Sequence, residues 1–102
     1  MKVRELLDRP ERWTQGVLAR DTTTGNPVGP ESEFATAWCL GGAVMRAYPA
    51  YEDQTEPLRR LREAIFGPPR GKGYPEPRIG NWNDAPGRTF EEVRELVERL
   101  DI

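Results

Sequence analysis

The sequence predicts a mainly α fold, a small bundle of about four helices around a central one. Three observations carry that expectation. Apolar residues recur at three- and four-residue spacing in several segments, capping residues, prolines and glycines bound those segments, and the pieces between them hold at most brief extended runs. At 102 residues the chain is read as a single domain, 1–102, able to hide about two thirds of its unfolded surface.

The first helix is expected around Val3, Leu6 and Leu7, and Asp8-Arg9-Pro10 breaks it before Trp13 supplies a large apolar anchor. Gln15 to Arg20 reads as a short strand or an extended connector, and Asp21 to Pro30 as loop. The central helix is expected from Glu31 to Tyr48. Phe34, Trp38, Gly41, Met45 and Tyr48 would form one stripe, with Ala37, Leu40, Val44 and Ala47 beside it. Gly41-Gly42 inside a helix costs about 1 kcal/mol per glycine relative to Ala, which implies close approach of another helix or a ligand. Pro49 ends the element.

A third helix is read from Thr55 as N-cap through Pro57 in the first turn, with Leu58, Leu61 and Ile65 on its apolar face and Gly67-Pro68 as the stop. Residues 67–80 are too rich in Pro and Gly for regular structure, and Tyr74 and Ile79 are the side chains expected to pin them. The last helix has the plainest local code: Thr89 and Glu92 form a capping box, Val93, Leu96, Val97 and Leu100 make the buried stripe, and Glu95 pairs with Arg99 outside. An α+β arrangement is the alternative, with Gln15–Arg20 and Arg78–Trp82 pairing as a two-stranded ribbon.

Composition excludes more than it selects. There is no His and a single Cys, Cys39, so a Ser-His-Asp or Cys-His apparatus, a Cys/His zinc site and an internal disulfide cannot be built within the chain. Fifteen Lys and Arg against seventeen Asp and Glu give a balanced field that points to neither nucleic acid nor an anionic membrane. The apolar run Phe34–Tyr48 is too short to span a bilayer, and charged Met1–Asp8 does not resemble a secretory signal, so a cytoplasmic protein is expected.

The most suggestive constellation is Trp38-Cys39-Leu40-Gly41-Gly42-Ala43 with Trp82-Asn83-Asp84. Brought together, Asn83 and Asp84 would orient a polar ligand while the indoles cover its apolar face, giving Trp38, Cys39, Gly41, Gly42, Trp82, Asn83 and Asp84 as candidate ligand-binding residues. The structural alternative makes Trp38 core, Cys39 a small buried hydrophobe and Asn83–Gly87 an Asx-type turn. A helix from Glu31 would place Cys39 two turns inside, away from the N-terminal field that activates thiols. Gly67-Pro-Pro-Arg-Gly-Lys-Gly73 lacks the spacing, hydroxyl and amide donors of a phosphate-binding loop. Arg70, Lys72, Tyr74 and Arg78 could still meet a phosphate backbone and a base, though a solvated loop is the simpler reading, as it is for Glu91, Glu92, Glu95 and Glu98 on the last helix and for Arg59, Arg60 and Arg62. No catalytic residue, metal ligand or cofactor is assigned.

Taken together, Trp13-Thr-Gln-Gly16, Ala19-Arg20-Asp21, Trp38-Cys39-Leu-Gly-Gly-Ala43, Trp82-Asn83-Asp84 and Arg88-Thr89-Phe-Glu-Glu-Val93 cover most of the chain in order. In these segments it resembles an uncharacterised family of small actinobacterial and phage proteins. The resemblance implies a compact intracellular domain, raises a phage or mobile-element origin, and brings no reaction with it; Gly67 to Pro77 lies outside the shared pattern. The leading expectation is therefore a non-enzymatic binding protein that sequesters a small molecule or blocks a host protein, assembled as a homo-oligomer. The alternatives are a small hydrolase or transferase using Asp84 with Tyr or Arg partners near Trp38, Cys39 and Trp82, and nucleic-acid binding through the Arg70–Arg78 loop.

Overall fold

Val3 and Leu6 are buried on α1 (Val3–Leu6), and Leu7 caps it before Pro10–Arg12 forms a single 3-10 turn. The computed structural model describes residues 1–102. Three two-residue strands follow, β1 (Ala19–Arg20), β2 (Pro27–Val28) and β3 (Ala37–Trp38), and then α2 (Leu40–Ala47), α3 (Tyr51–Phe66), α4 (Ile79–Asn83) and α5 (Phe90–Leu100). The expectation of a mainly helical chain fits, with five helices and a small antiparallel sheet in place of a four-helix bundle.

β1 is the middle strand of the order β2-β1-β3, with Ala19 opposite Val28 on one side and Trp38 on the other. β2 lies inside the stretch expected to be loop. The Asp21 amide donates to the Asn26 carbonyl at 2.9 Å, the Thr23 amide donates to the Asp21 carboxylate, and Gly25 takes a positive φ of 78°, closing a hairpin. Pro27 is tolerated because β2 is an edge strand.

The ribbon of the α+β alternative, between Gln15–Arg20 and Arg78–Trp82, does not form: β1 pairs with β2 and β3, and residues 79–83 are helical. The central helix is also shorter than its apolar stripe suggested. Residues 31–39 leave the helix because Ala37 and Trp38 pair with β1, the Trp38 indole donates to the Pro30 carbonyl at 2.9 Å, and the Cys39 amide donates to the Leu18 carbonyl at 3.1 Å. Phe34, expected on the buried stripe, is 61% exposed. Helical spacing over residues 34–48 was partly coincidental, since the same residues satisfy a turn, a strand and an eight-residue helix.

α2 is nonetheless central, packing against α1, α3 and α4. Leu40, Ala43 and Val44 meet Val3 and Leu6 from α1, Leu7 from its cap, Leu61 from α3 and Val93, Leu96 and Val97 from α5 in one core. α3 begins at Tyr51 rather than after Thr55, with Ala50 at the N-cap and Glu52 and Asp53 in the first turn, where carboxylates favour the helix dipole. Gln54 donates to the Tyr48 carbonyl at 2.9 Å and so ties the helix to its connector. Pro57, buried in the second turn, forfeits one ladder bond to the Asp53 carbonyl without ending the helix. Gly67 stops it with a φ of 87°.

Both halves of the Thr89–Glu92 capping box on α5 are made, as the sequence predicts, but the exposed pair along it is Arg94–Glu98 at 2.8 Å instead of Glu95–Arg99. Ile79 is buried and anchors the far end of the Pro/Gly loop, whereas Tyr74 is 58% exposed and pins nothing to the core. No helix is long and apolar enough to cross a membrane.

Candidate functional site

The two segments singled out in the sequence meet, and Asn83 joins them. Asn83 ends α4 and is fully buried, so its amide must find partners inside the protein. Its Oδ1 accepts from the Trp13 indole at 2.8 Å and from the Leu40 amide, the first of α2, at 3.1 Å. Its Nδ2 donates to the Thr14 carbonyl at 3.1 Å and to Asp84 Oδ1 at 2.9 Å. Around it, the Gln15 side chain donates to the carbonyls of Asn83 (2.9 Å) and Ala85 (3.3 Å), and the Gly16 amide donates to Asp84 Oδ1 at 2.9 Å. No buried side-chain polar atom lacks a partner.

Trp13, Thr14, Gln15 and Gly16 are thus members of the site that residue chemistry alone did not assign; the signal available was the Trp-Thr-Gln-Gly segment itself. The Asx-type turn read at Asn83–Gly87 has its counterpart in a C-cap at Asp84, an Arg88 amide that donates a hydrogen bond to the Ala85 carbonyl at 3.0 Å, and Gly87 at a φ of 83°.

Each tryptophan of the constellation is covered by an arginine. The Arg88 guanidinium lies 3.8 Å from the Trp82 ring centre, donates to the Trp82 carbonyl at 2.9 Å and pairs with Glu92 at 2.7 Å. Arg46 lies 5.4 Å from the buried Trp38 ring and donates to the Ser32 carbonyl at 2.9 Å and the Pro30 carbonyl at 3.3 Å, holding the turn before β3 closed.

Cys39 stands at the N-cap of α2, not two turns inside a helix, and its Sγ accepts the Gly42 amide at 3.3 Å. Two effects then oppose each other. Burial pushes the thiol pKa up and is the larger, while the Gly42 and Gly41 amides pull it down; Asp84, nearby, adds to the rise. The thiol stays protonated and inaccessible, the reverse of what a nucleophile requires. The reason for a glycine at 42 is also settled: a Cβ there would collide with the Leu18 carbonyl, so the close neighbour is the backbone running into β1. At Gly41 a Cβ would meet only Leu18 Cδ2, at 3.9 Å.

Of the seven candidate residues, Trp38, Cys39, Gly42 and Asn83 are buried, Gly41 and Trp82 are half-buried, and Asp84 is exposed. Asp84 borders an open cleft of about 500 Å³ with Leu18, Arg62, Arg78, Ile79 and Asn81. A second groove, of about 430 Å³, lies between the end of α3 and the Pro/Gly loop, with Phe66, Tyr74, Pro69 and Pro75 in its walls and Arg70 and Lys72 at its edge. Arg62, Glu76 and Pro77 border both, and the Arg62–Glu76 pair, 3.8 Å apart, marks the ridge between them. No three Cys, Asp and Glu side chains converge into a set that could hold a metal ion.

No curated protein and no solved structure matches the chain. A family model does, over residues 1–100, a span that includes the Pro/Gly loop. The chain carrying this Asn83-centred site belongs to DUF6197, a family of unknown function.

Proposed function

We propose that the protein acts by binding a small polar molecule, and that Asp84 is the residue that meets it. The observation that carries this reading is the state of the Asp84 carboxylate. Oδ1 is fixed by the Gly16 amide and the Asn83 side chain, whereas Oδ2 is engaged by no protein group, in a cleft that also offers Arg62 and Arg78. A carboxylate oriented through one oxygen and open at the other is a preorganised acceptor. Asn83 then serves the site by holding that carboxylate in place, and Trp38, Cys39, Gly41, Gly42 and Trp82 belong to the scaffold around it.

The ligand class follows from the charges. Two anionic groups, Asp84 and Glu76, and two cationic ones, Arg62 and Arg78, line the same cleft; with Arg62 set against Glu76, Asp84 and Arg78 remain to suit a molecule bearing both a donor, such as an ammonium or hydroxyl, and an anionic or carbonyl acceptor. Sequestering such a molecule is a task a small chain performs without a nucleophile–base pair. Such sequestration would also suit a phage-type accessory protein, the origin that the resemblance raises.

Native mass spectrometry of freshly purified protein, before and after denaturation, tests the proposal and counts subunits in the same spectrum. An extra mass on the wild type that Asp84→Asn loses while remaining folded supports it. A retained mass that Asp84→Asn leaves unchanged overturns the assignment of Asp84. A hydrolase or transferase reading would draw on the same Asp84, Arg62 and Arg78; no tyrosine borders the cleft to assist them.

A further inference from the structure

Independently of Asp84, the groove between α3 and the loop at residues 67–78 has the composition of a recognition surface, and its charges identify the partner. Phe66, Pro69, Tyr74 and Pro75 supply apolar walls, and Phe66 and Tyr74 are both exposed there. Of the cations there, Arg59 is satisfied by Glu56 and Glu63, and Arg62 lies against Glu76. Arg70 and Lys72 have no carboxylate partner: the Arg70 guanidinium sits 4.8 Å from the Tyr74 ring centre, and Lys72 lies beyond Gly71, whose φ of 94° turns the chain between them. Two free cations therefore stand beside an apolar trough on a protein whose formal net charge is −2.

The backbone points the same way. Residues 68–77 make no backbone hydrogen bond, and Pro68, Pro69, Pro75 and Pro77 fix φ along the segment. A loop so stiffened loses little further entropy when something settles against it. Strand addition is not the mode, because four of those residues have no amide to donate. A continuous polyanion is less suited than a short segment, since Glu63 and Glu76 also line the groove and would repel phosphates running its length, whereas a short segment need place its carboxylates only at Arg70 and Lys72.

We infer that this groove binds a short acidic segment of a partner protein, one whose apolar side chain rests among Phe66, Pro69 and Pro75 while flanking carboxylates meet Arg70 and Lys72. The probe is an acetylated Asp-Glu-Trp-Leu-Glu-Asp peptide, titrated into isotope-labelled full-length protein and followed by amide chemical shifts. Two controls run beside it: the same peptide with Asn and Gln in place of the acids, and a short oligothymidylate. The expected result is a cluster of shifts at Gly67, Arg70, Gly71, Lys72 and Tyr74. The doubly substituted Arg70→Glu, Lys72→Glu protein should bind about tenfold or more weakly. Both residues are exposed and outside the core, so that variant keeps the wild-type melting temperature. Unmoved loop amides at about millimolar peptide, a typical upper bound for a weak specific contact, equal binding of the uncharged peptide, or tighter binding of the oligothymidylate would each overturn the inference, the last in favour of nucleic acid.

Discussion

The carbonyl oxygen of Leu18 lies so close to Gly42 that it would overlap the first side-chain carbon of any other residue there. The contact is backbone on backbone, so neither partner can swing aside. Gly42→Ala is expected to lose about 3 kcal/mol of stability through overpacking. Gly41→Ala, meeting only a movable leucine methyl, should be neutral or gain up to about 1 kcal/mol from helix propensity. Thermal unfolding of the two variants side by side decides it, and equal losses would mean that the β1 approach relaxes.

Asn83→Ala leaves the Trp13 indole and the Leu40 amide without their acceptor and the Thr14 carbonyl without its donor, for an expected loss of about 3 kcal/mol or more in chemical denaturation. Asn83→Asp separates the terms. It keeps the acceptor but loses both donations and sets a second carboxylate against Asp84. Burial and that neighbour raise its pKa, so its deficit should be fullest near neutrality and shrink as the pH is lowered and the buried acid takes up a proton. A deficit independent of pH would contradict this picture.

Cys39 is expected to resist a thiol-reactive aromatic disulfide in the native state at mildly alkaline pH and to react fully once the protein is denatured. Cys39→Ser, which retains an N-cap acceptor for the Gly42 amide, should unfold close to wild type, and Cys39→Ala about 1 kcal/mol earlier. Rapid labelling of the folded protein would show that α2 opens locally.

Lys2, first, and Arg4 hold the Asp101 carboxyl down to about 2, against 3.8 for the free group. A carboxyl depressed on folding contributes stability that is complete above the unfolded value and is lost as pH falls through the folded one, here between about 4 and about 2. Asp101→Asn should therefore lower the melting temperature slightly at neutral pH, tolerate the left-handed backbone at a φ of 53°, and match wild type below that window. The effect is small because the groups are exposed. An undiminished difference at low pH would show that the ion pairs are not its source.

Local codes in the sequence translated well where they were self-contained. The Thr89–Glu92 box, the stripe of Val93, Leu96 and Val97, the stops at Pro49 and Gly67 and the break before Pro10 each depend on residues a turn apart, and each appears in the structure. Elements that depend on distant chain were misread for one reason. Ala37 and Trp38 leave the helical stripe only because β1 offers them ladder partners, and Ala19 and Arg20 lie well upstream in the sequence. The same applies to the site. That Trp38–Gly42 and Trp82–Asp84 belong together was suggested by their residue types, but the means of joining them, a buried Asn83 reaching Trp13 and Leu40 across 70 and 43 residues, is invisible to spacing. Arg46 and Arg88 were likewise unread as partners of the indoles they cover, since a guanidinium over a ring leaves no periodic trace.

The segment between Gly67 and Arg78 contributes nothing to the backbone ladders, and α3 and α4 pack on each other without its help. Its length and chemistry are thereby uncoupled from the folding problem, because lengthening such a span adds only about 0.6 kcal/mol per doubling. It is a cassette: a stretch that selection, or an engineer grafting a foreign epitope, can rewrite while the Asn83 hub and the α5 cap continue to guarantee the frame.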